Sequence, residues 1–500
     1  MSVSGIGSTT TLTVQALVDM RARLDDLQRQ LGTGKKAETY AGVGLDRGLA
    51  VGLRAQLSAI GGFGDTMTNV GVRLDLAQTA LGRIADIGRS VKSATQLTPY
   101  QLDGGGQTTG QKTAYSELDE MLGLLNTQAG DRYLFSGRAV DQPAVETRAH
   151  ILDGDGARAG FRQVLAERNQ ADLGATGLGR LVIPPAAGTT VSISEDVAGS
   201  PFGFKLASVN STLTGATVTG PAGSPPAISV NLGSNPNAGE TIKLSFTLPD
   251  GSSEDVTLTA TTSATPGPNE FTIGATGAAT AANLQAALTG AIGTLARTSL
   301  AAASAIAAGN DFFNVDAANP PRRVAGPPFD TATALIAGTP ANTVTWYTGE
   351  AGSDPARATA GARVDQAITV AYGVRANEQG IRWMVQNVAV FAATTFSPSD
   401  PDGNGRYSAL TQRLGSALAV PPGVQKVEDI QAELASAQTT MADVKDRHRQ
   451  TQSTIEDMLQ QIEGVSQEQV AAEILALQTR LQASLQTTAR LYQTSLVNYL

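Results

Sequence analysis

The chain has no cysteine among its 500 residues. That excludes disulfides, thiolate nucleophiles and cysteine-based metal sites in one step. Histidine is almost as scarce. His150 and His448 are the only two, too few for a zinc cluster, and any Ser/His/Asp arrangement would have to use one of them. Aromatic residues make up 5% and charged residues 16%, with Gly, Ala, Thr and Ser filling the space. Clear helical periodicities nevertheless argue against disorder. A formal charge of −9 leaves no electrostatic footprint for nucleic acid. No unbroken apolar run reaches the ~18 residues of a membrane span, so no membrane insertion is expected. The first twenty residues carry neither Lys nor Arg and no long apolar core, unlike a Sec signal peptide. No enzymatic activity, metal or cofactor is expected.

The strongest positive signal lies in residues 471–500. Ile474, Leu477, Leu481, Leu485, Thr488, Tyr492, Leu496 and Tyr499 are spaced 3, 4, 4, 3, 4, 4, 3. This 11-residue repeat is close to the pitch of a straight α-helix, so all eight lie along one stripe. No charged side chain follows Arg490. Such a stripe needs a partner. Leu17, Met20, Leu24, Leu27 and Leu31 form a heptad stripe near the other end, broken by Gly32-Thr33-Gly34. The text GTGKK there is not a phosphate loop. Arg29 stands where the upstream glycine is required, and no Ser or Thr follows the first Lys. A helix-ending turn explains it.

Two longer seams lie inside these stripes. Ile60, Phe63, Met67, Val70, Leu74, Ala77, Leu81, Ile84, Gly88 and Val91 alternate in steps of 3 and 4. So do Val427, Ile430, Leu434, Ala437, Met441, Val444, His448, Thr451, Ile455, Met458, Ile462 and Val465. Both read as coiled-coil seams, and the second helix would run ~60 Å at 1.5 Å per residue. His448 falls on the seam, where a polar residue helps set register. Glycines 61, 62, 64, 71 and 82 lower helix propensity by ~1 kcal/mol each, which predicts compensating packing.

Between the seams the character changes. A Gly-rich break at residues 103–106 precedes a helix over 113–128. From Ile183, Pro and Gly punctuate short Thr/Val-rich runs. Residues 241–247 and 256–259 flank Pro249-Asp250-Gly251 and read as a β-hairpin. A helix follows over 278–308, then strands over 343–347 and 368–372, and a helix over 377–391. The loop from Asp400 to Gly405 starts like a calcium-binding EF-hand, but Thr411 stands where a bidentate Glu is required. It reads as a polar turn. Asp153 and Asp155 sit in a Gly-rich, solvent-exposed turn.

The expected fold is mainly α with inserted α+β. N- and C-terminal helices form a long antiparallel coiled-coil hairpin, and a β-rich outer domain is inserted in the middle. The expected boundaries are an N-terminal assembly helix (1–42), the N-terminal part of a helical core (43–182), the outer α+β domain (183–310), return strands and helix (311–420), a C-terminal core helix (421–465) and a C-terminal assembly helix (466–500). The two terminal stripes form too small a unit to be stable alone. They would gain most from packing on copies of themselves, and a head-to-tail contact that does not close gives a helical filament. The expected interface is Leu17, Met20, Leu24, Leu27, Leu31, Ile474, Leu477, Leu481, Leu485, Tyr492, Leu496 and Tyr499.

A family resemblance enters here. LDDLQRQLGTGKK (residues 24–36), followed by a long helix, resembles the N-terminal arm of the bacterial flagellin superfamily. The ending LQASLQTTARLYQTSLVNYL is similar to that family's terminal helix. DRYLFSG (residues 131–137), with Pro143 beyond it, and YGVRANE (372–378) resemble the hook–filament junction branch, the third hook-associated protein. TAANLQAAL (280–288) is similar to an insertion in some alphaproteobacterial flagellins. LGRIADIGRSV (81–91) only partly resembles the immune-recognition segment of enteric flagellins, because Ala85 replaces a second arginine. The resemblance implies a secreted structural subunit, exported by the flagellar type III route and polymerised through its terminal helices in swimming motility. It implies partners as well: copies of the chain, other flagellar axial proteins (hook-associated proteins and flagellin), the export apparatus and an export chaperone. Junction subunit and main filament flagellin are the two roles. A coiled-coil adhesin or scaffold of other origin is the remaining reading.

Overall fold

The computed structural model describes residues 4–316 and 319–497. Helix outweighs strand, about 52% to 15%, in a mixed α plus β chain. The described α-helices are α1 (Ser4–Thr33), α2 (Arg47–Leu97), α3 (Thr109–Leu125), α4 (Arg148–Asp153), α5 (Phe161–Leu173), α6 (Gly277–Leu295), α7 (Ala301–Phe313), α8 (Gln379–Ala393), α9 (Gly403–Ala417), α10 (Val427–Glu463) and α11 (Gln467–Val497). The chain divides into two compact units. One comprises Met1–Asn69, Arg363–Thr369 and Thr439–Leu500, and the other Val70–Ala362 and Val370–Gln438. Helices α2 and α10 contribute residues to both.

In the first unit, helices pack as antiparallel pairs. The start of α2 meets the end of α10, where Ala50, Leu53, Ile455 and Leu459 are buried with Leu57, Ile60 and Ile462 against them. The α2 seam thus begins before Ile60, since 50, 53, 57 and 60 keep the same 3/4 steps. The α10 seam departs from its expected course. Thr451 is exposed, Met458 is 46% exposed, and Leu459 takes the buried position. A straight α-helix drifts ~20° per heptad from a strict seven-residue repeat. Over the turns from Val427 to Ile455 that drift requires one extra step of four. His448 remains buried on the seam, its ring 5.8 Å from that of Phe63. Its Nε2 lies 3.4 Å from Asp365, which also holds Arg447 at 2.6 Å. Glycines 61, 62, 64 and 71 have no atom within 4 Å of a notional Cβ. Close approach therefore does not require glycine at these four positions, and the compensation for their low helix propensity comes from buried seam residues such as Met67 and Val70.

In the second unit, Leu74, Leu81, Ile84 and Val91 of α2 are buried, and so are Ala80, Ala85 and Ile87. The buried face widens here because other helices cover it. A Cβ on Gly88 would meet Met384 of α8 at 2.8 Å, so glycine at this seam position lets α8 approach. Gln78 and Gln431 exchange amide–carbonyl bonds between α2 and α10 (2.8 and 3.3 Å). Pro99 follows the end of α2. A capping box between Thr108 and Gln111 opens α3.

The strands are short. They are β1 (Gln128–Ala129), β2 (Arg132–Tyr133), β3 (Leu181–Val182), β4 (Thr190–Glu195), β5 (Lys205–Ser211), β6 (Ala216–Ala222), β7 (Ala227–Leu232), β8 (Thr241–Thr247), β9 (Ser253–Thr261), β10 (Glu270–Thr272), β11 (Arg322–Val324), β12 (Leu335–Ala337), β13 (Gly361–Arg363) and β14 (Thr369–Ala371). Two four-stranded sheets, ordered β3-β4-β7-β6 and β10-β9-β8-β5, enclose one core with α6. That core runs from Leu181 to Ala303 in sequence and includes Phe204, Phe246, Leu258, Leu284 and Ile292. Strands β8 and β9 form the expected hairpin, closed by Gly251 at φ +83°.

Residues 343–347 do not form the expected strand. They make only isolated bridges, Ala159 with Thr343 and Val145 with Tyr347. The α6–α7 stretch, Gly277–Phe313, is long and apolar enough to cross a membrane by length and composition alone, although it holds no unbroken apolar run of that length. Alanines and glycines raise its hydropathy between the leucines without making an unbroken large-residue run. Leu284, Leu288, Ile292 and Leu300 are spent inside the protein core. A π-turn at Ala296–Leu300 separates the two helices.

Candidate assembly interface

Helices α1 and α11 meet through a small cluster. Leu27, Val470, Ile474 and Leu477 are buried, with Met20, Leu24 and Val465 packed against them. Five of the twelve expected interface residues are therefore brought together: Met20, Leu24, Leu27, Ile474 and Leu477. Leu17 and Leu481 are only partly buried and lie outside the cluster. Leu31 and Leu485 are 36% and 50% exposed and do not belong to it. The side chains of Tyr492 and Leu496, and all of Tyr499, lie outside the described residues. Val470 was missed by the sequence reading, although it continues the stripe four residues before Ile474.

The junction beneath the pair is pinned by backbone. Lys36 N donates to Glu463 O (2.7 Å), and Val465 N donates to Gly34 O (3.1 Å). Gly34 takes φ +68°, the left-handed geometry that ends α1. Lys36 has a role that the phosphate-loop comparison did not suggest. Its Nζ donates to Ile462 O at 2.9 Å and so caps the carbonyl end of α10. Arg54 grips Glu463 through both carboxylate oxygens, with Nε at 3.0 Å.

That grip makes the junction acid-sensitive. The Arg54 hydrogen bond and charge hold the Glu463 carboxyl below its usual range. The stabilisation is present above the unfolded glutamate pKa, about 4.3, and is lost as pH falls through the lower folded value. Amide exchange around residues 460–470, corrected for intrinsic rates, is expected to rise between pH 5 and pH 3. In Glu463→Gln that pH dependence should disappear.

The cluster is small, so a single truncation should show. Leu27→Ala removes a buried side chain worth about 2–5 kcal/mol in an ordinary core. Such a loss exceeds what so small a pair can absorb. Exchange protection of α1 and α11 is expected to collapse in this variant, with protection of the β module unchanged.

A second set of residues converges elsewhere, in the second unit. The segment 131–137 lies against 372–378. Ala376 N donates to Phe135 O (2.8 Å), and Gly137 N donates to Val374 O (3.2 Å). Arg357 bridges Glu378 and Glu433 and also donates to Gly373 O. Burial pushes the Glu378 carboxyl up, against the pull of Arg357. These two segments are a hydrogen-bonded node, far apart in sequence and adjacent in the fold.

The loop at 400–405 is already committed. Asp400 pairs with Arg406 (2.7 Å) and Asp402 with Arg297 (2.5 Å), while Thr411 lies within α9. Among the described residues no group of three or more acidic or histidine side chains is placed to hold a metal. Asp153 and Asp155 pair with Arg162 and Arg158. His150 faces Glu146 at 3.1 Å.

Several large apolar side chains of the terminal pair remain exposed. Leu12, Val14 and Val18 on α1 are 70%, 51% and 56% exposed, and Leu475 on α11 is 65% exposed. No family model matches the chain, and no curated protein matches it.

Proposed function

We propose that the chain is a structural subunit of the bacterial flagellum, of flagellin type, polymerising through its terminal helices. One observation carries this reading. The α1–α11 pair buries one narrow seam and leaves Leu12, Val14, Val18, Leu475 and Leu485 in solvent. A pair that small with that much exposed apolar surface is suited to burial against further copies. The antiparallel contacts of α2 with α10 are compatible with a long coiled-coil hairpin that presents the β module as an outer domain. The protein would be secreted to the flagellum by type III export, with hook-associated proteins and flagellin as neighbours.

Within this reading a junction-type subunit is favoured, because the 131–137 and 372–378 segments that carry that resemblance meet in one node. The main filament flagellin is the alternative, favoured by the large module with its own core. Electron microscopy of cells lacking the protein tests both. Hooks without filaments are expected for the junction role, and short or altered filaments for the flagellin role. Normal filaments would reject the proposal.

A further inference from the structure

The β module has an open strand edge beside a groove. Strand β10 pairs in parallel with only Thr259–Thr261 of β9. Thr259 N donates outward to Asn269 O at 2.9 Å, and Thr261 O accepts from Ile273 N at 2.8 Å. Strand groups alternate in direction, so the N–H and C=O of Asp255 and Thr257 face the same side as those of Thr259. No strand covers them there among the described residues. The chain cannot extend β10 over them, because it turns away just before it. Glu270 N donates to Gly267 O (3.1 Å), and Gly267 N donates to the Glu270 carboxylate (2.8 Å).

Beside this edge runs α6, and between them lies a groove of about 460 Å³. Its floor is apolar and low, formed by Val256, Ala287, Gly290 and Ala291. A notional Cβ on Gly290 meets nothing within 4 Å, so the space above it is open. Two charged residues line the groove, Asp255 and Glu270, and both are acidic. Asp255 already shares its carboxylate with Lys243 of β8 at 2.7 Å. Glu270 is left as the groove's principal charge.

The geometry points to a peptide-binding groove, in which an extended segment of a partner protein adds as a strand to the β9 edge at Asp255–Thr257. Free backbone donors and acceptors in a row recognise another extended backbone and nothing else so well. The shallow floor takes small or β-branched side chains at alternate positions. The acidic rim selects a lysine or arginine at the end nearest Glu270. The groove would bind such a strand whether or not the chain assembles.

The test uses the full chain and a fluorescein-labelled octapeptide of alternating lysine and valine. Two control peptides replace lysine by glutamate or carry backbone N-methyl groups on the bonding edge. Binding of the lysine peptide is expected to be at least tenfold tighter than that of the glutamate peptide. The N-methylated peptide should not bind. Gly290→Leu fills the groove without touching the strand and is expected to weaken binding at least tenfold. Thr257→Pro removes one outward N–H at an edge, where proline is tolerated, and should do the same. Amide exchange gives a readout independent of either variant. The Asp255 and Thr257 amides should exchange freely in the protein alone and become protected with peptide. Slow exchange of these amides without peptide would overturn the proposal. So would absence of binding by the lysine peptide, or unchanged affinity in a folded Gly290→Leu protein.

Discussion

A protein carrying Val18→Glu and Leu485→Glu is expected to stay a folded monomer and to lose polymerisation. Val18 is 56% exposed and Leu485 50%. Neither belongs to the Leu27–Ile474 cluster, so the monomer loses little when they become charged. Burial of an apolar side chain contributes about 1.5–3 kcal/mol. Two such contacts per subunit therefore account for about 3–6 kcal/mol of association, at 1.4 kcal/mol per factor of ten. Burying carboxylates in their place costs more. The critical concentration for polymerisation should rise at least a hundredfold, measured by sedimentation of seeded reactions. Circular dichroism of the monomer should be unchanged. Polymerisation at the wild-type critical concentration would remove these side chains from the interface and with them the main support for the assembly role. Val18→Leu with Leu485→Met, which keep the apolar surface, should assemble normally.

Helices were the legible part of this chain, because burial on one side writes a period into the sequence. Ile60 to Val91 kept that period throughout, and each of these residues is at least half covered in the fold. The period fails where physical conditions change along a helix. Met458 and Leu459 differ by one position, and the choice between them depends on accumulated drift against α2, which no local window contains. The apolar α6–α7 stretch shows the converse. Composition alone cannot separate a membrane-length helix from one packed inside two sheets, because both need the same residues. The β8–β9 hairpin was legible from Pro249-Asp250-Gly251, a turn set by local chemistry. The strand expected at 343–347 was not realised, because strand formation needs a neighbour, and this segment finds only single bridges at Val145 and Ala159. At the candidate interface, Met20, Leu24, Leu27, Ile474 and Leu477 were readable as stripes. Lys36 and Arg54 were not. Their partners, Ile462 and Glu463, lie in the last turn of α10, about four hundred residues away along the chain.

The largest stability effect is expected at a site that has no part in assembly. Arg168 of α5 is buried, with its side chain 5% exposed. It reaches Asp172 at 2.8 Å and Asp311 of α7 at 2.5 Å. It also donates to Pro201 O at 3.2 Å and lies over the Phe202 ring. Asp172 is 1% exposed and accepts a second bond from Gly203 N at 2.9 Å. Asp172→Ala would leave a buried guanidinium with one carboxylate and a buried N–H with no acceptor. Breaking a buried pair from one side costs about 3–5 kcal/mol, and an orphaned buried donor alone costs about 1–3. The unfolding free energy of the unit containing α5 should fall by that amount, read in urea as a midpoint lowered by the loss divided by an unchanged slope. Arg168→Met with Asp172→Leu removes both charges and should recover part of the loss. The pH profile gives an independent check. Burial holds the Asp311 carboxyl above its usual range even though Arg168 pulls it down, and the like charge of Asp172 adds to the rise. A raised carboxyl means that the folded state holds its proton more tightly. Its contribution is therefore full below the unfolded aspartate pKa and is lost as pH rises through the folded value. With Asp172 gone, Arg168 serves Asp311 alone and the Asp311 pKa should drop. The fall in stability with rising pH should then shrink in Asp172→Ala. If the variant's stability instead fell more steeply with rising pH than the wild type's, Asp172 would be relieving Asp311 of charge rather than crowding it, and the triad would have to be read the other way round.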